Sequence, residues 1–258
     1  MIEGFSALEL SGLAALVFLA GAVDALAGGG GLITLPAYLA AGLPPSLLLG
    51  TNKLSSTLGT IASTLRYVLN LKIDRQALPW MILASMTGSA LGAGLSLLLD
   101  PAWLRILLLA ALPLIAFAVL RRKDFGSEDR SGEFPFPERL KRSLAVTFPV
   151  GAYDGFFGPG TGTFFALGLS RVCRQDLLRA TAHAKVLNLV SNAAALAAFL
   201  WAGRVHIPLG LAMGAAGVGG HYVGSHLGLK KGAQAIRPVI ALVCAGLFLK
   251  LLLDVIGK

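Results

Sequence analysis

The chain has 258 residues, of which 55% are hydrophobic and only 14% charged, with a mean hydropathy of +0.75 and a formal net charge of +9. Soluble domains carry about a quarter of their residues charged, so a water-soluble globule is excluded. The positive balance reads as Lys and Arg placed in loops between apolar spans, not as a nucleic-acid footprint.

Windows nearly free of charge run over Leu10–Ala27, Leu78–Leu99, Leu104–Leu120, Leu187–Ala202 and Val239–Leu253. Their lengths approach the roughly 20 residues that cross a bilayer. They are too numerous for a cleaved signal peptide. The fold class expected is all-α integral membrane, with the lipid bilayer as a partner and no nucleic acid.

Residues 1–9 hold Glu3 and Glu9 and no Lys or Arg, and the first apolar helix is expected over 10–27. It runs into Gly28, Gly29, Gly30 and Gly31 one turn after Asp24. Each Gly costs about 1 kcal/mol in a helix interior, so the helix should break there. At membrane depth, irregular backbone survives only against protein or along a cavity. A short apolar segment over 32–42 is stopped by Gly42 and Pro44-Pro45. A helix over about 47–70 carries Thr51, Asn52, Lys53, Ser55, Ser56 and Thr57. After a polar loop, a span over 77–98 places Gly88 with Gly92 and Ala90 with Gly94, a small-xxx-small pattern that lets helices approach. Another span follows over 103–120. Residues 122–141, rich in Arg and Lys, read as a flexible cytoplasmic linker.

The pattern then starts again. Gly151-Ala152-Tyr153-Asp154 matches Gly21-Ala22-Val23-Asp24, and Gly158 and Gly160 match Gly28 and Gly30, at an offset of 130. At an offset of 132, Lys185 falls on Lys53, and Gly220 and Gly224 fall on Gly88 and Gly92. Such a register implies two homologous halves, repeat one over 6–121 and repeat two over 142–256, within a single transmembrane domain. Each is a Gly-broken helical hairpin plus three transmembrane helices. If the broken pair returns to its starting side, the repeats are inverted and both termini lie outside. Of the loop bases counted, Arg204 and Lys258 then stand outside against fourteen inside, whereas parallel repeats would put Arg171, Arg174, Arg179, Lys230 and Lys231 outside against eleven. Inverted repeats obey the positive-inside rule better.

A charge at bilayer depth costs about 2.5–3.5 kcal/mol even on insertion scales, so Asp24, Lys53, Asp154 and Lys185 should face the bundle interior. One reading is that each Asp neutralises the Lys of its own half. The other is that the lysines, with amides freed at the breaks (Gly29, Gly30, Gly31 and Gly160, Thr161, Gly162), form an anion site at midplane, since helix N-termini favour anions. Thr51 and Asn52, and Asn188 and Asn192 on the Lys185 face, would add polar contacts, although such groups also serve as interhelical glue. Asp24, Asp154 and His183 are candidates for charge balance or proton coupling. His206, His221 and His226 are assigned no role. Tyr153, Phe156, Phe157, Phe164 and Phe165 are expected to pack the second hairpin.

Cys173 and Cys244 form no metal-type or redox spacing and are expected as free thiols. The stretch Gly158–Thr163 lacks the Lys-Ser/Thr of a phosphate loop, and neither a catalytic group nor a cofactor or metal is implied.

At Asp24–Pro36 (DALAGGGGLITLP), Gly50–Leu54 (GTNKL), Tyr153–Thr163 (YDGFFGPGTGT), Ala180–Asn192 (ATAHAKVLNLVSN) and Gly224–Pro238 (GSHLGLKKGAQAIRP) the sequence resembles the TauE/SafE sulfite-exporter family. The match runs in register over nearly the whole chain. It implies a bacterial inner-membrane, multi-pass permease moving small sulfur-containing anions such as sulfite or sulfonates. The function expected is thus a secondary transporter, not an enzyme. An intramembrane enzyme using His183 with Asp154, or a membrane assembly factor, is the alternative. A homo-oligomer is compatible with the sequence.

Overall fold

A computed structural model describes residues 5–71, 73–100 and 128–231. The spans expected over 103–120 and 239–253, together with Lys72 and Cys244, lie outside the described residues. Among those described there are eight α-helices and one short 3-10 turn, with no strand. The helices are α1 (Ala7–Ala27), α2 (Gly31–Ala40), α3 (Pro45–Asn70), α4 (Leu78–Leu97), α5 (Phe136–Phe156), α6 (Thr161–Val172), α7 (Leu177–Trp201) and α8 (Ile207–Lys231). Of these, α1, α4 and α7 are long and apolar enough to cross a membrane.

Two boundaries differ from the sequence reading by three residues or more, each for a local reason. Helix α1 starts at Ala7 rather than residue 10 because Ser6 and Glu9 form a capping box. The Ser6 hydroxyl accepts from the Glu9 amide at 3.2 Å, and the Glu9 carboxylate accepts from the Ser6 amide at 2.8 Å, which satisfies otherwise orphaned donors. Helix α5 starts at Phe136, inside the segment read as linker, because Pro135 caps it and Pro137 sits in its first turn, where proline costs no hydrogen bond. The described part of that segment is also pinned by charge. Arg139 pairs with Asp74 at 2.8 Å, Glu133 with Arg174 at 2.8 Å, and Asp129 with Arg179.

Both glycine-rich breaks appear where they were expected. Helix α1 ends at Gly28, whose φ of +79° is the left-handed conformation that favours glycine. The second break carries Gly158 at φ +97° and Gly160 at φ +79° between α5 and α6. Helix α2 closes with Gly42 at φ +88° and the Leu43 amide donating to the Tyr38 carbonyl at 3.0 Å, and Pro44-Pro45 start α3.

The helices pack through glycine. On α4, Gly88 and Gly92 lie directly on the backbone of α5 from Phe148 to Phe156, so that a Cβ at either would overlap a carbonyl oxygen. On α8, Gly220 and Gly224 lie on Phe18 and Ala22 of α1 in the same way. This is the small-residue approach anticipated from sequence. Residue numbers rise together along both contacts, so α4 runs parallel to α5 and α8 parallel to α1. Ser85 and Ser89 of α4 donate to the carbonyls of Leu187 and Ser191, which makes α4 parallel to α7. Leu54, Leu58 and Gly59 of α3 meet Gly210, Gly214 and His221 in turn, so α3 runs parallel to α8. Helices α3 and α7 are antiparallel, since Lys53 reaches Asn192 and Thr64 reaches Lys185.

Apolar side chains bury in two clusters. One gathers α1, α2, the start of α3, the end of α7 and the start of α8 around Leu32, Tyr38, Phe157 and Phe199. The other joins α4 to α7 around Met81, Phe165 and Leu187. Tyr153, Phe156 and Phe164 pack at the edge of the first cluster, where Tyr153 meets Phe157 and Phe164 edge to face. Cys173 is a buried free thiol.

Candidate functional site

The two breaks touch. Gly28 and Gly162 cross so closely that a Cβ on Gly162 would stand 2.7 Å from the Gly28 Cα, and one on Gly28 would overlap the backbone of Gly162 and Thr163. The Thr163 amide donates to the Gly28 carbonyl at 3.3 Å, and the Thr163 hydroxyl donates to the Ala27 carbonyl. Glycine at both positions is what allows this crossing, since no side chain fits between the chains.

Four buried charges surround the crossing, and they pair across it. The Lys53 ammonium lies 2.8 Å from Asp154 Oδ1 and donates to Asn192 Oδ1 at 2.8 Å. The Lys185 ammonium donates to the Asp24 main-chain carbonyl and lies 3.8 Å from its carboxylate. Pairing within each half is therefore not what is found, because each lysine sits against the carboxylate of the other half. The sequence reveals which positions correspond, not which meet, and the exchange follows from α3 packing antiparallel on α7.

The carboxylates have further partners. Asp24 Oδ1 accepts from the Gly30 amide at 3.0 Å, so the chain's own carboxylate occupies the positive end of α2. Asp154 Oδ2 accepts from the Ser191 hydroxyl at 2.7 Å. Asn52 Oδ1 accepts from Thr34, and Tyr38 donates to Ser55 at 2.8 Å. Among the described residues, no fully buried side-chain nitrogen or oxygen of this region lacks a hydrogen-bond partner, as burial requires.

Between the breaks lies a cavity of about 20 Å³, room for roughly one water. Among the residues named from sequence, Asp24, Gly31, Asn52, Lys53, Asp154, Gly160, Thr161, Gly162, Asn188 and Asn192 line it. Gly28, Ser56 and Gly158 complete the wall. Lys185, Gly29, Gly30, Thr51 and His183 are not in it. Gly30 and Lys185 act through Asp24. Thr51 lies at the beginning of α8 instead, where its hydroxyl donates to the Leu47 carbonyl at 2.7 Å and accepts from the His206 amide at 2.9 Å. His183 pins the loop between α3 and α4. Its Nε2 accepts from the Asp74 amide at 2.9 Å and its Nδ1 lies 3.0 Å from the Arg179 carbonyl. Both ring nitrogens are thereby committed to backbone partners, away from the cavity.

One residue of the region escaped the sequence reading. His221 on α8 is buried, with Nε2 3.8 Å from Asp24 Oδ2 and Nδ1 2.9 Å from the Ser63 hydroxyl. The signal available was its place among Gly217, Gly220 and Gly224, the stripe that seats α8 on α1 and so carries His221 to Asp24.

Comparison with known proteins gives a consistent picture. The profile of the family described as "Sulfite exporter TauE/SafE" matches residues 13–251. The chain is 40% identical over 241 residues to "Probable membrane transporter protein ORF9" of a Sinorhizobium species, covering 92% of this chain and 90% of that protein. It is 38% identical over 253 residues to "Probable membrane transporter protein YfcA" of Escherichia coli K12, covering 98% and 93%. It is 35% identical over 237 residues to "Probable membrane transporter protein" of Haemophilus influenzae, covering 92% of each. No solved structure matches the chain.

Proposed function

We infer that this chain, which belongs to the Sulfite exporter TauE/SafE family, is a secondary transporter for a small anion, with a sulfur-containing oxyanion such as sulfite or a sulfonate as the first candidate. The family description and the transporter names of its bacterial relatives support the class. The site supports the charge of the cargo. One buried ammonium group, that of Lys53, and the starts of α2 and α6 line one polar cavity at the crossing of the breaks, while a second, that of Lys185, stands behind its wall against Asp24, and such a convergence suits a small oxyanion. That convergence is the observation on which the reading rests.

In the arrangement described, both lysines are already answered by carboxylates. Entry of an anion then requires one pair to open, and protonation of Asp24 or Asp154 is the step that frees a lysine without stranding a buried charge. Anion movement coupled to protons follows from that balance. Helix directions favour inverted repeats as the frame. With α1, α3 and α8 parallel, α4, α5 and α7 parallel, and α3 opposed to α7, helices α1, α3 and α4 of the first half run against α5, α7 and α8 of the second. Repeats over 6–121 and 142–256 joined by 122–141, in a bacterial inner membrane crossed several times, complete the reading.

The test is flux of labelled sulfite, thiosulfate, sulfate, sulfonates and carboxylates into proteoliposomes. Lys53→Ala and Lys185→Ala are expected to abolish uptake while the protein is still made and inserted. Unchanged uptake in both variants removes the site.

A further inference from the structure

The two Lys–Asp corners are built from corresponding residues, yet one holds a histidine and the other does not. At an offset of 132 the position of His221 falls on Ser89, which donates to the Ser191 carbonyl and brings no titratable group to Asp154. Asp154 is 1% exposed and closes on Lys53 at 2.8 Å, whereas Asp24 is 13% exposed and stands 3.8 Å from both Lys185 and His221. A second small cavity, about 20 Å³, lies at this looser corner, walled by Asp24, His221, Thr34, Ser55 and Ser56. It has room for about one water among polar partners. Lys185 from α7 and Lys53 and Tyr67 from α3 are the other charged or titratable groups that act on Asp24.

We propose that His221 is the proton-exchanging partner of Asp24, so that proton loading occurs at this corner alone while the Lys53–Asp154 corner stays a fixed pair. The inference rests on the transport reading and names the residue that couples it to protons. We assign the Ser63 hydrogen to the Thr60 carbonyl at 3.2 Å, which leaves the Ser63 oxygen to accept from Nδ1–H of His221 at 2.9 Å. Nε2 is left facing Asp24 Oδ2 with two acceptors opposed, a gap that one proton and one water fill. In the coupling step the imidazolium Nε2–H bond breaks and an O–H bond forms on Asp24, through the water. Asp24 becomes a neutral acid, the Lys185 ammonium is freed for the anion, and the imidazole regains its proton from bulk water. No electron changes hands.

The experiment uses the full-length protein with His221→Gln, Asp24→Asn and Asp154→Asn. The first reading is thermal stability in detergent between about pH 3.5 and 8, a span wide enough for an imidazole taken out of water. The second is acidification of pyranine-loaded proteoliposomes on adding sulfite. Wild type and Asp154→Asn are expected to share a pH-dependent step in stability that His221→Gln and Asp24→Asn both lack. Proton uptake in His221→Gln is expected to be about a hundredfold slower. Ser63→Ala keeps the ring and serves if the glutamine variant does not fold, with the midpoint of the step expected to move. A step and a proton signal unchanged in His221→Gln, or a midpoint unmoved in Ser63→Ala, overturn the proposal. A step lost in His221→Gln while wild type moves none of the anions tried overturns the transport reading and, with it, the coupling role.

Discussion

The corner at Lys53 and the corner at Lys185 begin as near copies in sequence and end as different devices. At the first, the ammonium reaches both Asp154 and Asn192 at 2.8 Å, and Ser191 holds the second carboxylate oxygen. At the second, Lys185 spends its hydrogen bond on a main-chain carbonyl, and Asp24 is shared among the Gly30 amide, Lys185 and His221. The difference teaches that a duplicated motif fixes the kind of charge at a site, while the neighbouring helices decide how closely that charge is held.

The sharpest way to break this comparison is to remove one lysine from each corner. Taking away one partner of a buried pair costs roughly 3–5 kcal/mol because a charge is left unanswered. Lys53→Ala should lose about that much in denaturant or thermal unfolding. Lys185→Ala should lose less, since Asp24 keeps the Gly30 amide and His221. Equal losses would show that the corners do not differ in tightness.

Next come the glycines that bring the corners together. Gly28→Ala combines a left-handed backbone with overlap onto Gly162, and should cost about 3 kcal/mol and most of the flux. Gly29→Ala, whose new methyl would stand 3.6 Å from Leu32, should shift stability by under about 1 kcal/mol. Folded yield and uptake measured side by side check the contrast, and a severe Gly29 variant would contradict it.

A finer probe is Ser191→Ala, which deletes one hydrogen bond to the Asp154 carboxylate and should cost about 1.5 kcal/mol, read by thermal unfolding. No measurable change would mean that Lys53 alone locks that corner. Smallest of all, Glu138→Ala removes an exposed pair with Arg142 at 2.7 Å. It should cost no more than about 0.5 kcal/mol with uptake unaltered, and serves as the reference against which corner effects are scaled.

Much of the architecture could be read before any coordinates. The breaks at Gly28–Gly31 and Gly158–Gly162, the helices between them and the glycine pairs 88/92 and 220/224 all follow from local cost and spacing. Helix starts are not legible where a cap outranks hydrophobicity, as Ser6 and Glu9 do at α1. Within the site, Lys53, Asp24, Asp154, Asn188 and Asn192 stood out because polar groups in apolar runs need partners. Which partner each would find was not legible, since that depends on α3 lying antiparallel to α7. Thr51 and His183 looked like site residues by proximity in sequence to the lysines. A helix turns about 100° per residue, and neither side chain reaches the cavity. His221 gives no such signal, because its counterpart in the other half, Ser89, is not titratable, which is the very property that sets its corner apart.

The exchange of partners between Lys53 and Lys185 also has a meaning for how such a chain is assembled. Translated alone, residues 5–100 would enter lipid with an ammonium and a carboxylate whose proper mates have yet to be made. Insertion of the early hairpin is thus left electrically open until the late one arrives, and the crossing at Gly28 and Gly162 acts as the clasp that closes it. Two separately expressed pieces should each be frail and should rescue one another on meeting, as the two strands of a zipper do.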